Sequence, residues 1–205
     1  MLVIGTISSA IKKHFQYSKQ YQQIEKYTAG NYKDRQSAKP ASRRVNRALQ
    51  HLVSPLPVVS SVAKVVYEQL KTPAFDVWQF SEAELIHLMK SMFSEFNLIK
   101  TFQIDETVLD RFLNIVRTTY NQNPFHNFLH CFCVTQMMYA LLHVTSVHQK
   151  LTPSEKLSLL VAAIGHDLDH PGFNNAYQVN ASTELAITYN DTSPLENHHA
   201  GTISD

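Results

Sequence analysis

Three observations predict that this protein is all-α, with several helices packed as a bundle. Apolar residues recur at three- to four-residue spacing through most of the chain after residue 57. A Ser or Thr followed three residues later by Glu, which is the signature of a helix start, occurs at Ser81, Thr152 and Ser193. Only 5 of the 205 residues are Gly, and no segment shows convincing strand alternation. Helix packing on helix is the architecture that such a pattern favours.

The first predicted helices are defined by their caps and by one apolar side each. A short amphipathic helix runs from Val58 to Leu70 and stops near Pro73. The capping box at Ser81 opens the second helix, and Asp105 caps the third. We expect the second to bury Leu85, Leu88, Met89, Met92, Phe93 and Phe96, and the third to present Val108, Leu109, Phe112, Ile115 and Val116 as its apolar face.

A central helix is predicted from Asn123-Pro124 to about Val144, because Asn is a favoured N-cap and Pro is a favoured first helical residue. Its apolar residues lie almost all round, which indicates a position inside the bundle. His126 and His130 would then lie one turn apart on one face. They could be two core histidines, two metal ligands, or one ligand and one acid.

The segment LSLLVAAIGHDLDHPGFNN, from Leu157 to Asn175, carries the strongest chemical signal. Thr152 and Pro153 predict a helix start, and so apolar a helix is expected to be buried on most sides. Its end delivers His166, Asp167, Asp169 and His170. Buried carboxylates are costly unless they are paired or bind metal, and imidazole with carboxylate suits a divalent cation. Histidines that merely favour the negative end of the helix are the simpler alternative.

Charge divides the chain into two parts. Residues 1–50 hold ten Lys/Arg and two acidic residues, a balance of +8, and the rest hold eight and fifteen, a balance of −7. We expect residues 1–55 to be a basic, largely disordered extension and residues 56–205 to be the folded domain. A solvated tail is a simpler interpretation than a surface for nucleic acid or membrane.

Two features bear on the compartment. No apolar run would span a membrane, and Met1–Ile4 is too short for a signal peptide core, so we expect a cytoplasmic protein without a transmembrane segment. Cys131 and Cys133 lie two apart in a predicted helix, where they are badly placed to bridge, and are expected to be reduced. A His/Asp site with open positions favours metal-assisted hydrolysis, although spacing does not distinguish phosphoester from amide substrates.

The motif HDLDHPGFNNAY, from His166 to Tyr177, resembles the signature of the class I 3′,5′-cyclic nucleotide phosphodiesterases: His-Asp-apolar-x-His-x-Gly-x-x-Asn-x-aromatic. Three more segments are similar to the high-affinity cGMP-specific subfamily, the ninth type. They are FDVWQF (Phe75–Phe80), NPFHNFLHCFCVTQMMYALL (Asn123–Leu142) and NASTELAITYNDTSPLENHH (Asn180–His199). The resemblance covers roughly residues 71–199.

The resemblance implies an all-helical catalytic domain that hydrolyses cGMP to 5′-GMP. It places the family's proton donor, which protonates the ribose O3′, at His126. Ligands of a first metal, usually Zn²⁺, fall on His130 and His166. Asp167 would bridge this ion to a second, usually Mg²⁺ or Mn²⁺, and the bridging hydroxide would be the nucleophile. His126, His130 and Asp167 would also contact the substrate.

Several neighbouring positions have more than one interpretation. The resemblance implies that His170 and Glu196 hydrogen-bond waters on the second metal. Glu196 could instead serve only as the carboxylate of its capping box. His198-His199 follow it, so this segment could also enter a metal site. Asp169 could orient a histidine from behind the ligands.

The family's domain continues past the motif that ends at His199, so we expect a C-terminally truncated catalytic domain. The last aspartate ligand, the glutamine that grips the purine and the aromatic clamp have no counterparts here. We therefore expect apolar surface at Ile164 and Leu195 to be exposed, and cGMP to be hydrolysed poorly or not at all. The alternative is a non-catalytic partial domain that acts as a homodimer or pairs with a full-length relative. The flanking motifs disfavour a third possibility, a His-Asp phosphohydrolase of other nucleotides.

Overall fold

The computed structural model describes residues 57–204, and side chains from Lys64 onward. Within that range the secondary structure is helical and contains no strand, so the all-α prediction is confirmed. The expected extension over residues 1–55, and its boundary, lie outside the described residues. None of the helices in the described range is both long and apolar enough to cross a membrane.

The described residues form two compact units, which divide between Gln79 and Phe80. The first contains helix α1 and a 3-10 turn at Val77–Gln79, and the second contains all the later helices. The helices are α1 (Pro57–Leu70), α2 (Glu82–Glu95), α3 (Leu98–Thr101), α4 (Glu106–Thr119), α5 (Phe128–Val144), α6 (Pro153–Gly165), α7 (Asn175–Asn180), α8 (Glu184–Thr188) and α9 (Pro194–Ser204).

The predicted caps form at three helix starts. In α6, Glu155 Oε2 accepts from the Thr152 backbone N–H at 2.8 Å, and Thr152 Oγ1 accepts from the Glu155 N–H at 3.3 Å. Ser81 begins α2 with the same reciprocal pair. Asp105 caps α4 by accepting from the Thr107 N–H at 2.7 Å. These bonds satisfy amide groups that have no partner within a helix, which is why the three boundaries are readable from sequence.

The start of the central helix was predicted wrongly. Helix α5 begins at Phe128, with Asn127 as its N-cap, and His126 lies in the turn before it. Asn123 is not free to cap, because its side-chain amide donates to the carbonyl oxygens of His126 at 3.2 Å and His170 at 2.6 Å. The predicted end at Val144 is confirmed.

Helix α5 lies at the centre of the second unit, between α2 and α6. All six residues expected on the buried side of α2 are buried. The apolar face of α4 is rotated from the predicted one: Leu113 is fully buried, whereas Val108 and Ile115 are 55% and 56% exposed. The buried positions of α4 are Leu109, Leu113 and Val116, which follow the four- and three-residue spacing of one helix face.

Helix α6 is less enclosed than its apolar sequence suggests. Leu160, Ile164 and Gly165 are buried, but Leu159 and Ala162 are exposed, so only one face packs inward. The expectation that Ile164 and Leu195 would be exposed is wrong, since they are 0% and 6% exposed. Helix α9 packs on α6, which provides part of this cover.

Helix α9 begins at Pro194, as predicted, but without the expected capping geometry. Ser193 has a φ of 43°, in the left-handed region, whereas an N-cap residue is normally extended. The carboxylate of Glu196 accepts hydrogen bonds from the Asn175 side-chain amide at 2.9 and 3.2 Å. Glu196 therefore ties α9 to the start of α7.

The approach of α6 to α9 depends on the absence of a side chain at Gly165, where a Cβ would collide with the side chain of Ile203. In an open helix, Gly→Ala would stabilise by up to about 1 kcal/mol. Here we expect Gly165→Ala to lower the free energy of unfolding by about 1–3 kcal/mol, because the contact becomes overpacked. Urea unfolding would measure the change.

Removal of the colliding side chain is the matched control. In the Ile203→Ala background, Gly165→Ala is expected to become neutral or stabilising, so that the two substitutions are strongly non-additive. If Gly165→Ala stabilised the unchanged chain, the close approach of α6 and α9 would be disproved.

Candidate metal centre

The end of α6 and the first turn of α5 bring three polar side chains together. His130 lies in the first turn of α5, His166 caps the end of α6, and Asp167 follows it. His130 Nε2 and His166 Nε2 are 3.2 Å apart. Asp167 Oδ2 lies 3.2 Å from the first nitrogen and 3.1 Å from the second. The three ligand atoms thus form a nearly equilateral triangle.

The dimensions of this triangle fit one divalent cation. A tetrahedral zinc site with bonds of about 2.0–2.2 Å places neighbouring ligand atoms about 3.3–3.5 Å apart. His166 Nδ1 contacts the Ala163 carbonyl oxygen at 2.9 Å, which assigns the proton of the neutral ring to Nδ1 and leaves a lone pair on Nε2. A ring nitrogen held in this way is typical of metal-ligating histidines.

Charge in the triangle is governed by Asp167. Burial alone would raise the pKa of its carboxyl, but the hydrogen bonds from His130 and His166 lower that pKa well below its usual range. Burial also opposes the charged form of His166, yet the hydrogen bond and the charge of Asp167 raise the pKa of this imidazole. The carboxylate is therefore ionised and attracts positive charge to the triangle.

A second group of possible ligands shares Asp167 and adds His170 and His199, with all ligand atoms within 4.8 Å of one another. Both histidines are buried, at 5% and 4% exposure. The Gly172 N–H donates to His170 Nδ1 at 2.9 Å. Burial, with the nearby His126, lowers the pKa of His170 to about 4, so its ring is neutral. The described residues can thus hold cations on both sides of one carboxylate.

His126 reaches the same place from the turn before α5. Its ring stacks on that of His170, with centroids 3.9 Å apart and planes within 8°. Its Nδ1 is buried without a hydrogen-bond partner, and burial lowers the pKa of the imidazole. All four candidates among His126, His130, His166 and Asp167 are therefore near one another, although His126 is not on the helix face that spacing predicted.

Two asparagines that the sequence analysis did not single out hold the turn after α6. The Asn121 amide donates to Asp169 Oδ1 at 2.9 Å and to the His170 carbonyl at 3.1 Å. His198 Nε2 lies 2.9 Å from Asp169 Oδ2. Asp169 itself has a φ of 54°, a conformation that Asp tolerates better than most residues. It orients His198 on α9 rather than a residue of the triangle.

Glu196 belongs to neither group of possible ligands among the described residues, and its carboxylate contacts Asn175. That hydrogen bond, with a backbone one, lowers the pKa of the carboxyl. Its predicted contact with metal-bound water stays a prediction. His199, which sequence left open, is instead the residue of α9 that lies closest to Asp167, at 3.8 Å between Nε2 and Oδ1.

An all-helical domain with a buried His/Asp centre defines the class of protein: a helical domain built around divalent metal. Comparison with known proteins narrows this class. The family described as 3′5′-cyclic nucleotide phosphodiesterase matches residues 125–205. The chain is 50% identical over 132 residues to "High affinity cGMP-specific 3′,5′-cyclic phosphodiesterase 9A" of Homo sapiens, a match that spans 64% of this chain and 22% of that protein. The protein of the same name from Drosophila melanogaster is 47% identical over 165 residues, 80% of this chain and 10% of the relative.

Solved structures agree with the sequence comparison. The phosphodiesterase domain of the RhoPDE fusion protein from Salpingoeca rosetta superposes with a TM-score of 0.63 and is 38% identical, over 76% of this chain and 44% of that one. The chain therefore belongs to the 3′,5′-cyclic nucleotide phosphodiesterase family. It spans about a quarter or less of the full-length relatives named above, and under half of the solved domain.

Tyr120 fixes the turn that carries the centre. Its buried hydroxyl donates to the Ile164 carbonyl at 2.9 Å and accepts from the Asp167 N–H at 3.3 Å. Burial raises the pKa of this phenol, so it keeps its proton. Because an unsatisfied buried polar group costs about 1–3 kcal/mol, we expect Tyr120→Phe to lower the free energy of unfolding by that amount and to weaken Zn²⁺ binding.

Urea unfolding and calorimetric titration with Zn²⁺ would test both effects. Tyr177→Phe removes the same hydroxyl from an exposed side chain and is expected to change neither quantity. Equal stability of the two variants would show that Tyr120 does not hold the turn.

Proposed function

We propose that this chain carries the metal centre of a phosphodiesterase that hydrolyses 3′,5′-cyclic nucleotides, with cGMP as its substrate. The observation that carries the proposal is the convergence of His130 Nε2, His166 Nε2 and Asp167 Oδ2 within 3.2 Å, next to His126. Two ring nitrogens and a carboxylate oxygen at this separation form an acceptor-rich cluster that a cation would stabilise. The family membership supplies the reaction class.

In this proposal His130, His166 and Asp167 hold the first cation, Zn²⁺, and Asp167 is shared with a second, Mg²⁺ or Mn²⁺. The donor types fit this assignment, since imidazole suits Zn²⁺ while carboxylate and water suit Mg²⁺ or Mn²⁺. When bound, such ions supply an activated water and neutralise charge on the phosphoryl group. His170 Nδ1 accepts from the Gly172 N–H, which leaves Nε2 as the nitrogen that can donate to water near the second cation.

His126 is the proposed proton donor to the ribose O3′. Its ring is packed against His170 and joined through its backbone carbonyl to Asn123, so it is held beside the centre without being part of the triangle. A histidine that binds no metal can protonate a leaving oxygen, a contribution of about 10²–10⁴-fold in rate. cGMP is proposed rather than cAMP because the relatives at 47% and 50% identity are named as cGMP-specific. A cytoplasmic location and self-association remain predictions.

Cation binding is the first test. We expect the unchanged chain to bind Zn²⁺ tightly in a calorimetric titration. His166→Ala and Asp167→Ala should each weaken this binding by more than the about 10–100-fold that residues behind the ligands contribute. His87→Ala, which removes an exposed histidine of α2, is the matched control and should bind normally. Unaltered binding in His166→Ala would rule out the triangle as the site.

Hydrolysis is the second test, measured as conversion of cGMP to 5′-GMP with Zn²⁺ and Mg²⁺ present. We expect product formation that a chelator stops, and that His126→Asn reduces by about 10²–10⁴-fold while Zn²⁺ binding stays unchanged. Turnover that is indifferent to His126→Asn would remove its role as proton donor. Tight cation binding without any turnover by the unchanged chain would contradict the catalytic proposal and favour a non-catalytic partial domain.

A further inference from the structure

His199 is a buried histidine at the centre to which the proposed reaction gives no role. It lies on α9, is 4% exposed, and stacks loosely on His170 with ring centroids 5.5 Å apart. It contacts the centre through Asp167, whose Oδ1 faces its Nε2 at 3.8 Å. Asp167 Oδ1 is the carboxylate oxygen that the triangle does not use, since the two other histidines contact Oδ2.

The backbone determines which nitrogen of His199 carries the proton. Its Nδ1 lies 2.6 Å from the Leu168 carbonyl oxygen, which can only accept. The proton of the neutral ring is therefore on Nδ1, and Nε2 presents a lone pair. His170 is held in the opposite way, because the Gly172 N–H donates to its Nδ1 and assigns the proton to Nε2. The two stacked rings thus offer one acceptor and one donor.

The facing atoms of His199 and Asp167 are both acceptors. At 3.8 Å they are too far apart for a hydrogen bond with each other. A water molecule forms hydrogen bonds of about 2.7–3.0 Å, so a single water fits between Nε2 and Oδ1 and donates one hydrogen to each. Without such a donor two buried lone pairs would face each other, which is unfavourable.

We propose that His199 is a positioning residue, whose Nε2 accepts a hydrogen bond from a water shared with Asp167 Oδ1 and thereby orients the water of the second cation. The inference rests on the proposed function, because it assumes a cation on the Oδ1 side of Asp167. No proton is transferred in this role: the water O–H donates, and the ring nitrogen accepts. Residues that hold ligands or their waters from behind typically contribute about 10–100-fold to metal affinity.

Substitution by Asn separates this role from packing. Asn at position 199 can keep a donor near the place of Nδ1, and so the bond to Leu168 O, while it lacks any group at the place of Nε2. Gln instead presents an amide near Nε2 and can restore the acceptor. His87→Asn, on the exposed side of α2, is the control for loss of an imidazole.

The experiment uses Mn²⁺ as the probe. The chain is first loaded with Zn²⁺, and Mn²⁺ is then titrated and followed by electron paramagnetic resonance, while urea unfolding is measured on the metal-free chain. We expect His199→Asn to weaken Mn²⁺ binding at least about tenfold, with metal-free stability and Zn²⁺ binding close to those of the unchanged chain. His199→Gln should recover part of the affinity.

Unchanged Mn²⁺ affinity in His199→Asn would overturn the inference. A loss of affinity matched by a loss of metal-free stability, without recovery in His199→Gln, would also overturn it, because a purely structural role gives that result. Failure of the unchanged, Zn²⁺-loaded chain to bind Mn²⁺ would overturn the second cation site itself, and would be distinguishable because the unchanged chain, rather than the variant, fails.

Discussion

The second unit is organised by the need to accommodate one buried negative charge, that of Asp167. A carboxylate removed from water costs several kcal/mol unless charge or hydrogen bonds replace the solvent. Here His130 and His166 approach one oxygen, and His199 faces the other. These groups come from three helices, so the arrangement around a single carboxylate sets how the ends of α5, α6 and α9 meet.

The backbone of the turn after α6 determines the chemistry of the rings around that charge. The carbonyl of Ala163 orients His166, the carbonyl of Leu168 orients His199, and the N–H of Gly172 orients His170. Three imidazoles thus receive their proton positions from one short stretch of main chain. Such fixed donors and acceptors are the preorganisation on which metal chemistry depends, and they explain why a helix ends at this point.

Much of this could be predicted from sequence, for local reasons. The capping pairs at Ser81 and Thr152 satisfy amides within four residues of chain, so their sequence signature needs no tertiary context. The apolar side of α2 is likewise determined by helical spacing. His166 and Asp167 follow directly from their position at the end of α6. The start of α5 could not be predicted, because Asn123, a residue with good capping chemistry, is used for a contact with His170 some 47 residues away.

The sequence by itself determined the helical class, most helix boundaries and the residues that supply the imidazoles and the carboxylate, because caps, spacing and motif are local. Tertiary structure alone decided which face of α4 is buried, that Ile164 and Leu195 are covered, and that His199 rather than Glu196 lies nearest Asp167. These outcomes depend on how α9 packs against α6. Packing between distant segments is set by shape and by the removal of polar groups from water, neither of which any single stretch of chain contains.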